Sequence, residues 1–430
     1  MLESLSIGLL SFFLQLFGHS PTPLQAMPLM DWQQEAIFAV PTQGDPVVEK
    51  IVADYLQKLS EQGINPELQG IWIQSMWAEL ANHRSNLAAS AASLTKIATT
   101  LAALETWGPA HRFETRIYHT GAIQKGILQG DLIIEGSGDP LFVWEEAIAL
   151  GNALHQLGIT QVKGNLVITG DFSMNFQSSP QVSGALLMRG VNSSLWPSGV
   201  EQEYQKLPQK PNRPQLVITG KVQESATVPT GAQLLLRHQS LTVVELVKQM
   251  NIYSNNAMAE MLAKSVGGAE KVAQIAIQVA QVSPQEIRLI NGSGLGVDNR
   301  ISPQAVCQIL MAIQRKYEPQ SITLADLFPV AGLDKKGTMK WRHLPQGVAI
   351  KTGTLAQVSA LAGVIPTQER GLVWFSIQNS GSPQIDKFRA DQDQLLQSLA
   401  SHWQVLPSLL KSSAKEVFLG DPTRNLKAQS

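Results

Sequence analysis

The spacing of apolar positions changes period several times along the chain, and each change marks an element. In "DPVVEKIVADYLQKLSEQG", Val48, Ile51, Val52, Tyr55, Leu56 and Leu59 share one face of a 3.6-residue period, which predicts a helix ended by Gly63. "GIWIQSMWAEL" alternates as a strand does. "SAASLTKIATTLAAL" (90–104) is rich in Ala and Leu and reads as a buried helix stopped by "WGP".

From about Phe113 to Leu236 the pattern shifts to short β-branched runs closed by Gly, Asp or Pro: "TRIYHTG", "GDLIIEGSGDP", "GNLVITGDFS" and "PQLVITGKV". Helical spacing returns in "TVVELVKQMN", "AMAEMLAKSVGG" and "PQAVCQILMAIQRKY". Strands follow in "GVAIKTGTL", "SALAGVIPT" and "GLVWFSIQN", then a last helix in "IDKFRADQDQLLQSLASHW". This order predicts one α/β (α+β) domain, residues 27–112 and 237–411, whose chain is interrupted by an inserted strand-rich domain at 113–236. Residues 412–430 read as a polar tail.

Composition narrows the function more than the fold. The 430 residues are 44% apolar and 16% charged, with a formal net charge of −1 and no long run of one sign. That is not the electrostatic footprint of a nucleic-acid binder. Eight His are scattered, and no HExxH or CxxC pattern points to a metal, so neither metal nor cofactor is expected. The one cysteine, Cys307, lies in an apolar helical pattern and reads as core. At the N-terminus, "SIGLLSFFLQLF" has the length of a signal-peptide core and is too short to span a membrane. Residues 1–26 are therefore expected to direct export, with Ala26 at the cleavage site. Glu3 and the absence of any basic residue before Lys50 depart from that pattern, and leave open a mis-assigned start or an apolar helix. No later stretch is long and apolar enough to span a bilayer.

Three short patterns could carry chemistry. Ser-x-x-Lys occurs at Ser93/Lys96, Ser408/Lys411 and Ser412/Lys415, but only the first lies in an apolar helix. There the two side chains share a face, and a lysine among apolar neighbours loses its charge more readily and can accept a proton from the serine. The plain alternative is a snorkelling lysine on an amphipathic helix. Ser-x-Asn occurs at Ser173/Asn175 and at Ser254/Asn256; the second precedes a helix start, where Ser and Asn also serve as caps. One residue earlier, Tyr253 and Asn255 spell Tyr-x-Asn. Lys-Thr-Gly occurs once, at Lys351, Thr352 and Gly353 in a β-branched run. It could present a cation and a hydroxyl to a carboxylate, or simply guard a sheet edge.

Taken in order, the three patterns match those of penicillin-binding proteins and serine β-lactamases. "GPAHRFETRIYHTG", "GDLIIEGSGDPLF", "VKGNLVITGDFSMNF", "NIYSNNAMAEML", "NGSGLGVDNRIS" and "LFPVAGLDKKGTMKWR" extend the match. From about Ile51 to His402 the chain resembles the class C low-molecular-mass penicillin-binding proteins, the D-alanyl-D-alanine carboxypeptidase/endopeptidases of peptidase family S13. The resemblance implies an antiparallel sheet flanked by helices. It implies peptidoglycan stem peptides ending in D-Ala-D-Ala as substrate, β-lactams as covalent inhibitors, and a place in the periplasm or cell envelope.

By the same resemblance Ser93 is the nucleophile, Lys96 the base, and Ser254 and Lys351 pass a proton to the leaving group. Asn256 orients, Thr352 and Gly353 help receive substrate, and the amides of Ser93 and Thr354 form an oxyanion hole. In that register Asn255 and Tyr253 are bystanders, and Tyr253 packs. Two blocks depart from the family's pattern: Ala91-Ala92-Ser93 stands where Pro-Ala-Ser is usual, and 291–296 reads Asn-Gly-Ser-Gly-Leu-Gly where Asp-Gly-Ser-Gly-Leu-Ser is usual. Ser93 and Ser254 are 161 residues apart, short enough to imply one accessory domain or a much reduced second. A β-lactamase or esterase on the same scaffold, and a silent wall-binding protein, are the competing readings.

Overall fold

The computed structural model describes residues 44–207, 210–412 and 417–428, so the expected signal segment lies outside the described residues. Helix α1 (Pro46–Glu61) starts on Asp45, whose carboxylate caps the amides of Val47 and Val48, with Pro46 at the first turn. Strands β1 (Gly70–Ser75) and β2 (Glu79–His83) form a hairpin, so the alternating run "GIWIQSMWAEL" is two strands rather than one. A short 3₁₀ turn (Ala92–Leu94) leads into α2 (Thr95–Trp107).

The inserted block supplies β3 (Arg112–His119), β4 (Leu132–Ser137), α3 (Trp144–Gln156), β5 (Leu166–Asp171), α4 (Pro180–Gly190), α5 (Ser198–Lys206), β6 (Val222–Glu224) and β7 (Gln233–Thr242). Beyond it come α6 (Val243–Tyr253), α7 (Asn256–Val266), α8 (Ala269–Ala280) and α9 (Pro303–Tyr317). Strands β8 (Ala349–Leu355), β9 (Val358–Thr367) and β10 (Gly371–Ser380), then α10 (Ile385–Trp403), complete this part.

One antiparallel sheet of order β8-β9-β10-β1-β2 divides the larger core in two. The period-2 alternation of its strands decides which side each residue serves. Ile71, Ile73, Leu361, Ile365, Phe375 and Ile377 face α1 and α10. Trp72, Ala360, Ala362, Val364 and Trp374 face the helices α2 and α6 to α9. Cys307 on α9 is fully buried in that second layer, as its pattern implied, and burial raises its thiol pKa well above the usual value.

The inserted block has its own mixed sheet, β6-β5-β4-β3-β7, and its own apolar core including Ile117, Ile134, Ile168 and Leu150. It is strand-rich, but three helices that the alternation did not reveal belong to it: α3 and α4 pack on the sheet, and α5 packs on α3 through Val200 and Tyr204. Residues 417–428 also differ from the expected polar tail. Strand β11 (Asn425–Lys427) pairs with β7 at the sheet edge, and Arg424 is buried against Glu146 of α3 at 2.5 Å.

Candidate functional site

Ser93 sits in the turn that opens α2, and the backbone there is held in an unusual shape. Ala92 has φ +46°, a conformation that non-glycine residues seldom adopt. Gly294 presses on this turn so closely that a Cβ there would lie 1.8 Å from the Ala92 carbonyl oxygen. The amide of Ala91 donates to Asn299 O at 2.9 Å, a bond that the family's usual proline at this position has no N–H to make.

Three residues on, Lys96 is fully buried. Its Nζ donates to Ser93 Oγ (3.0 Å), Asn256 Oδ1 (2.8 Å) and the Ser293 carbonyl (2.7 Å). Three acceptors satisfy an ammonium; a neutral amine can donate to the latter two and accept the Ser93 hydroxyl along the same line. Burial pulls the Lys96 pKa down from 10.5 to about 7, against a smaller opposing pull from the Glu260 carboxylate.

Ser254 and Asn256 reach the site because a helix breaks between them. Ser254 ends α6 in the left-handed region (φ +51°, ψ +41°), and Asn255 caps α7 by accepting the Met258 amide at 3.1 Å. So Asn255 is no bystander: it does the capping that leaves both flanking side chains free for the cleft. Tyr253 is 51% exposed and does not pack as expected. Inside α6, Asn251 donates to Thr100 Oγ1 of α2 and to the Leu327 carbonyl, both at 3.0 Å, which sets the helix end against the Ser93 helix.

Lys351 is also fully buried, on the β8 edge rather than in solvent. Its Nζ donates to Ser254 Oγ (2.9 Å) and to the Thr352 carbonyl (2.6 Å). Burial first, and the neighbouring Lys96 charge second, push its pKa well below 10.5. Two lysines this close titrate as a pair, and the second charge is costly.

Gly353 lets β8 approach the Ser93 turn. A Cβ there would stand 3.0 Å from Ala91 O and 3.1 Å from the Ser93 amide nitrogen. Ile350 donates its amide to Pro329 O, away from β9. With a period of two, the amides of Thr352 and Thr354 leave β8 on that same open side. All eight expected residues, Ser93, Lys96, Ser254, Asn256, Lys351, Thr352, Gly353 and Thr354, thus lie on the helix, loop and strand that meet here. The rival Ser-x-Asn, Ser173 and Asn175, lies in the turn after β5 of the inserted block.

Two residues were not singled out from the sequence. Glu260 accepts the amides of Gly292 (3.1 Å) and Ser293 (3.0 Å), and so holds the carbonyl that Lys96 bonds. Its place beside Ala259 in the Ser-x-Asn block was the available signal. Arg389 of α10 donates Nη2 to Thr354 Oγ1 at 3.0 Å, and no local pattern announces it. In the departing 291–296 block, Asn291 still closes its turn, accepting the Gly294 amide at 2.8 Å and donating to Leu295 O at 2.7 Å.

The sequence pattern of the D-Ala-D-Ala carboxypeptidase 3 (S13) family matches residues 49–184 and 205–401, well over half of the chain. The chain belongs to the S13 family. Its relatives include a carboxypeptidase of Mycobacterium tuberculosis, 25% identical over 337 residues that span 68% of this chain and 71% of the relative. Among solved structures, it resembles the penicillin G-acylated predatory endopeptidase Bd3459 of Bdellovibrio bacteriovorus, in complex with immunity protein Bd3460. That likeness has a TM-score of 0.70 at 19% identity, over 84% of this chain and 99% of the other. Penicillin-binding protein 4 of Haemophilus influenzae gives 0.59 at 22%, over 82% and 98%. Both share this chain's fold, and family membership makes the chain a serine D,D-peptidase of the penicillin-binding class.

Proposed function

We propose that this S13 enzyme cleaves the D-alanyl-D-alanine end, or the equivalent cross-link, of peptidoglycan stem peptides through an acyl-enzyme on Ser93. The observation that carries the reading is the shared lysine hub: Lys96 Nζ bonds both Ser93 Oγ and Asn256 Oδ1, while Lys351 Nζ bonds Ser254 Oγ. Neutral Lys96 takes the Ser93 proton as Oγ attacks the carbonyl between the two D-alanines. The amides of Ser93 and Thr354 stabilise the oxyanion; losing one such donor costs roughly 10²–10³ in rate. The C–N bond then breaks as Ser254, polarised by Lys351, delivers a proton to the leaving amine, and the proton taken up by Lys96 replaces the one that Ser254 gives. Asn256 keeps Lys96 aimed and bonds the substrate amide, and Lys351 and Thr352 receive the terminal carboxylate beside Gly353. Water releases the acyl group. A β-lactam presents the same carbonyl with a tethered leaving group, so it acylates Ser93 and remains.

The substrate class places the work in the cell envelope, with export by the N-terminal segment. In this reading residues 113–236 form a single accessory domain. The Tyr-x-Asn register belongs to a β-lactamase or esterase reading, and the side chains favour the other register: Asn255 is engaged as the cap of α7, while Ser254 and Asn256 bond Lys351 and Lys96. The test is incubation with purified muropeptides, following D-alanine release and cross-link cleavage, with fluorescent penicillin mapped by peptide digestion. Label on Ser93 and product formation, both lost in Ser93→Ala, are expected. Folded protein that takes no label and releases no D-alanine would overturn the proposal.

A further inference from the structure

In the D,D-peptidase reading the open side of β8 receives a carboxylate, yet the two lysines there are poorly suited to supply fixed charge. Lys96 and Lys351 are buried side by side, and each has its protonated form disfavoured by burial. One more cationic side chain touches the strand. Arg389, on the second turn of α10, donates Nη2 to the hydroxyl of Thr354, the exposed residue just past Lys351-Thr352-Gly353. Thr352 and Thr354 lie on one face of β8 by the two-residue period, the α10 side opposite Lys351 and Gly353, so the guanidinium reaches the strand's open edge from that side, beside the hydroxyls assigned to the carboxylate.

Its local setting does not explain it. An arginine in the N-terminal part of a helix opposes the helix dipole. Its ion-pair partner, Asp386 at 2.9 Å and one turn back, is 95% exposed, and such surface pairs contribute little. Arg389 itself keeps 38% of its side chain exposed, so it can accept a new partner without being dug out of the core. Guanidinium groups stay charged at any working pH and present paired N–H donors matched to a carboxylate.

We propose that Arg389 is a substrate-binding residue that recognises the carboxylate on the leaving side of the scissile bond, together with the Thr352 and Thr354 hydroxyls. This rests on the D,D-peptidase reading above. In the free enzyme Asp386 holds the guanidinium at the groove's edge; on binding, the substrate carboxylate takes an N–H pair that Asp386 gives up. A terminal D-alanine and a cross-link whose attacked amide nitrogen sits next to a free carboxylate satisfy the same arginine. A leaving group without that carboxylate does not.

The discriminating measurement is a preference ratio. A diacylated L-Lys-D-Ala-D-Ala tripeptide and its C-terminal amide are compared by kcat/KM in the wild type, Arg389→Ala, Arg389→Lys and Asp386→Asn. The wild type should favour the free acid, Arg389→Ala should shrink that preference at least tenfold, chiefly through KM, and Arg389→Lys should restore part of it. Asp386→Asn should lower KM for the acid. If Arg389 only props Thr354, its removal slows both substrates alike and the ratio stays put, which sinks the assignment. A wild-type enzyme that hydrolyses neither peptide and takes no penicillin label removes the peptidase reading and this inference together. One that hydrolyses both without preference removes the inference alone.

Discussion

Lys96 makes the chemistry depend on pH in a direction that can be worked out. Its pKa lies near 7 because burial disfavours the ammonium, so the neutral amine predominates above about pH 7 rather than above 10.5. The rate of penicillin acylation should therefore fall about tenfold per unit as pH drops below 7, and level off above it. Stopped-flow labelling across pH 5 to 9 would read this (~ two decades on the acid side); a profile flat down to pH 5 would rule Lys96 out as the base. Glu260 pulls the Lys96 pKa upward. Glu260→Gln removes that charge and keeps an acceptor for one of the two amides of Gly292 and Ser293, so the acid limb should move to lower pH. Residue identities were legible here because each of Ser-x-x-Lys, Ser-x-Asn and Lys-Thr-Gly is written within three or four consecutive positions. The exposure of Tyr253 was not, since which side of a helix end faces solvent depends on what packs there.

At the scale of elements, the site is three backbone interruptions held in register. Asn255 starts α7 just where Ser254 leaves α6. Asn255→Ala removes that cap and should cost about 1 kcal/mol in urea unfolding. Acylation should fall as well, because Ser254 loses the sharp turn that aims it. Gly353→Val puts side-chain atoms where Ala91 O and the Ser93 amide already lie within 3.1 Å of a Cβ. Moving β8 off the turn spoils both oxyanion donors, and the acylation rate should drop roughly 10²–10³-fold with the fold retained by circular dichroism. Helices with a clear apolar face, α1 and α9, were plain from periodicity. The helices of the inserted block were not. In α3 the period is blurred by Glu146, buried because it meets Arg424, and by Gly151, whose missing side chain admits Pro214 and Val191. The polar α5 buries only Val200 and Tyr204.

Across the whole molecule, the C-terminal segment closes a circuit that local reading does not suggest. Arg424 meets Glu146 at 2.5 Å with both side chains buried, and His238 of β7 bonds Asn425 at 3.0 Å. β7 runs directly into α6, which ends at Ser254, so the segment braces the sheet from which that arm of the site departs. Arg424→Ala strands a buried carboxylate and should lower stability by about 3–5 kcal/mol. Chemical unfolding followed by tryptophan fluorescence would measure it; a loss under 1 kcal/mol would mean that the pair is dispensable.

What the sequence determined by itself was the chemistry and most of the layering. The short motifs carry their residue types in fixed order, and hydrophobic periods of 2 and 3.6 sort strands from helices wherever one face is buried against one neighbour. What only the tertiary structure decided depends on groups distant in the chain. The drop of Lys96 to about 7 needs a desolvated setting to which Asn256 and Ser293 are brought from distant parts of the chain. The arrival of Arg389 at Thr354 depends on how α10 lies against the sheet. The docking of 417–428 pairs Arg424 with Glu146, 278 residues earlier in the chain, in a buried contact. Burial and long-range pairing set those three features, and neither is encoded in local spacing.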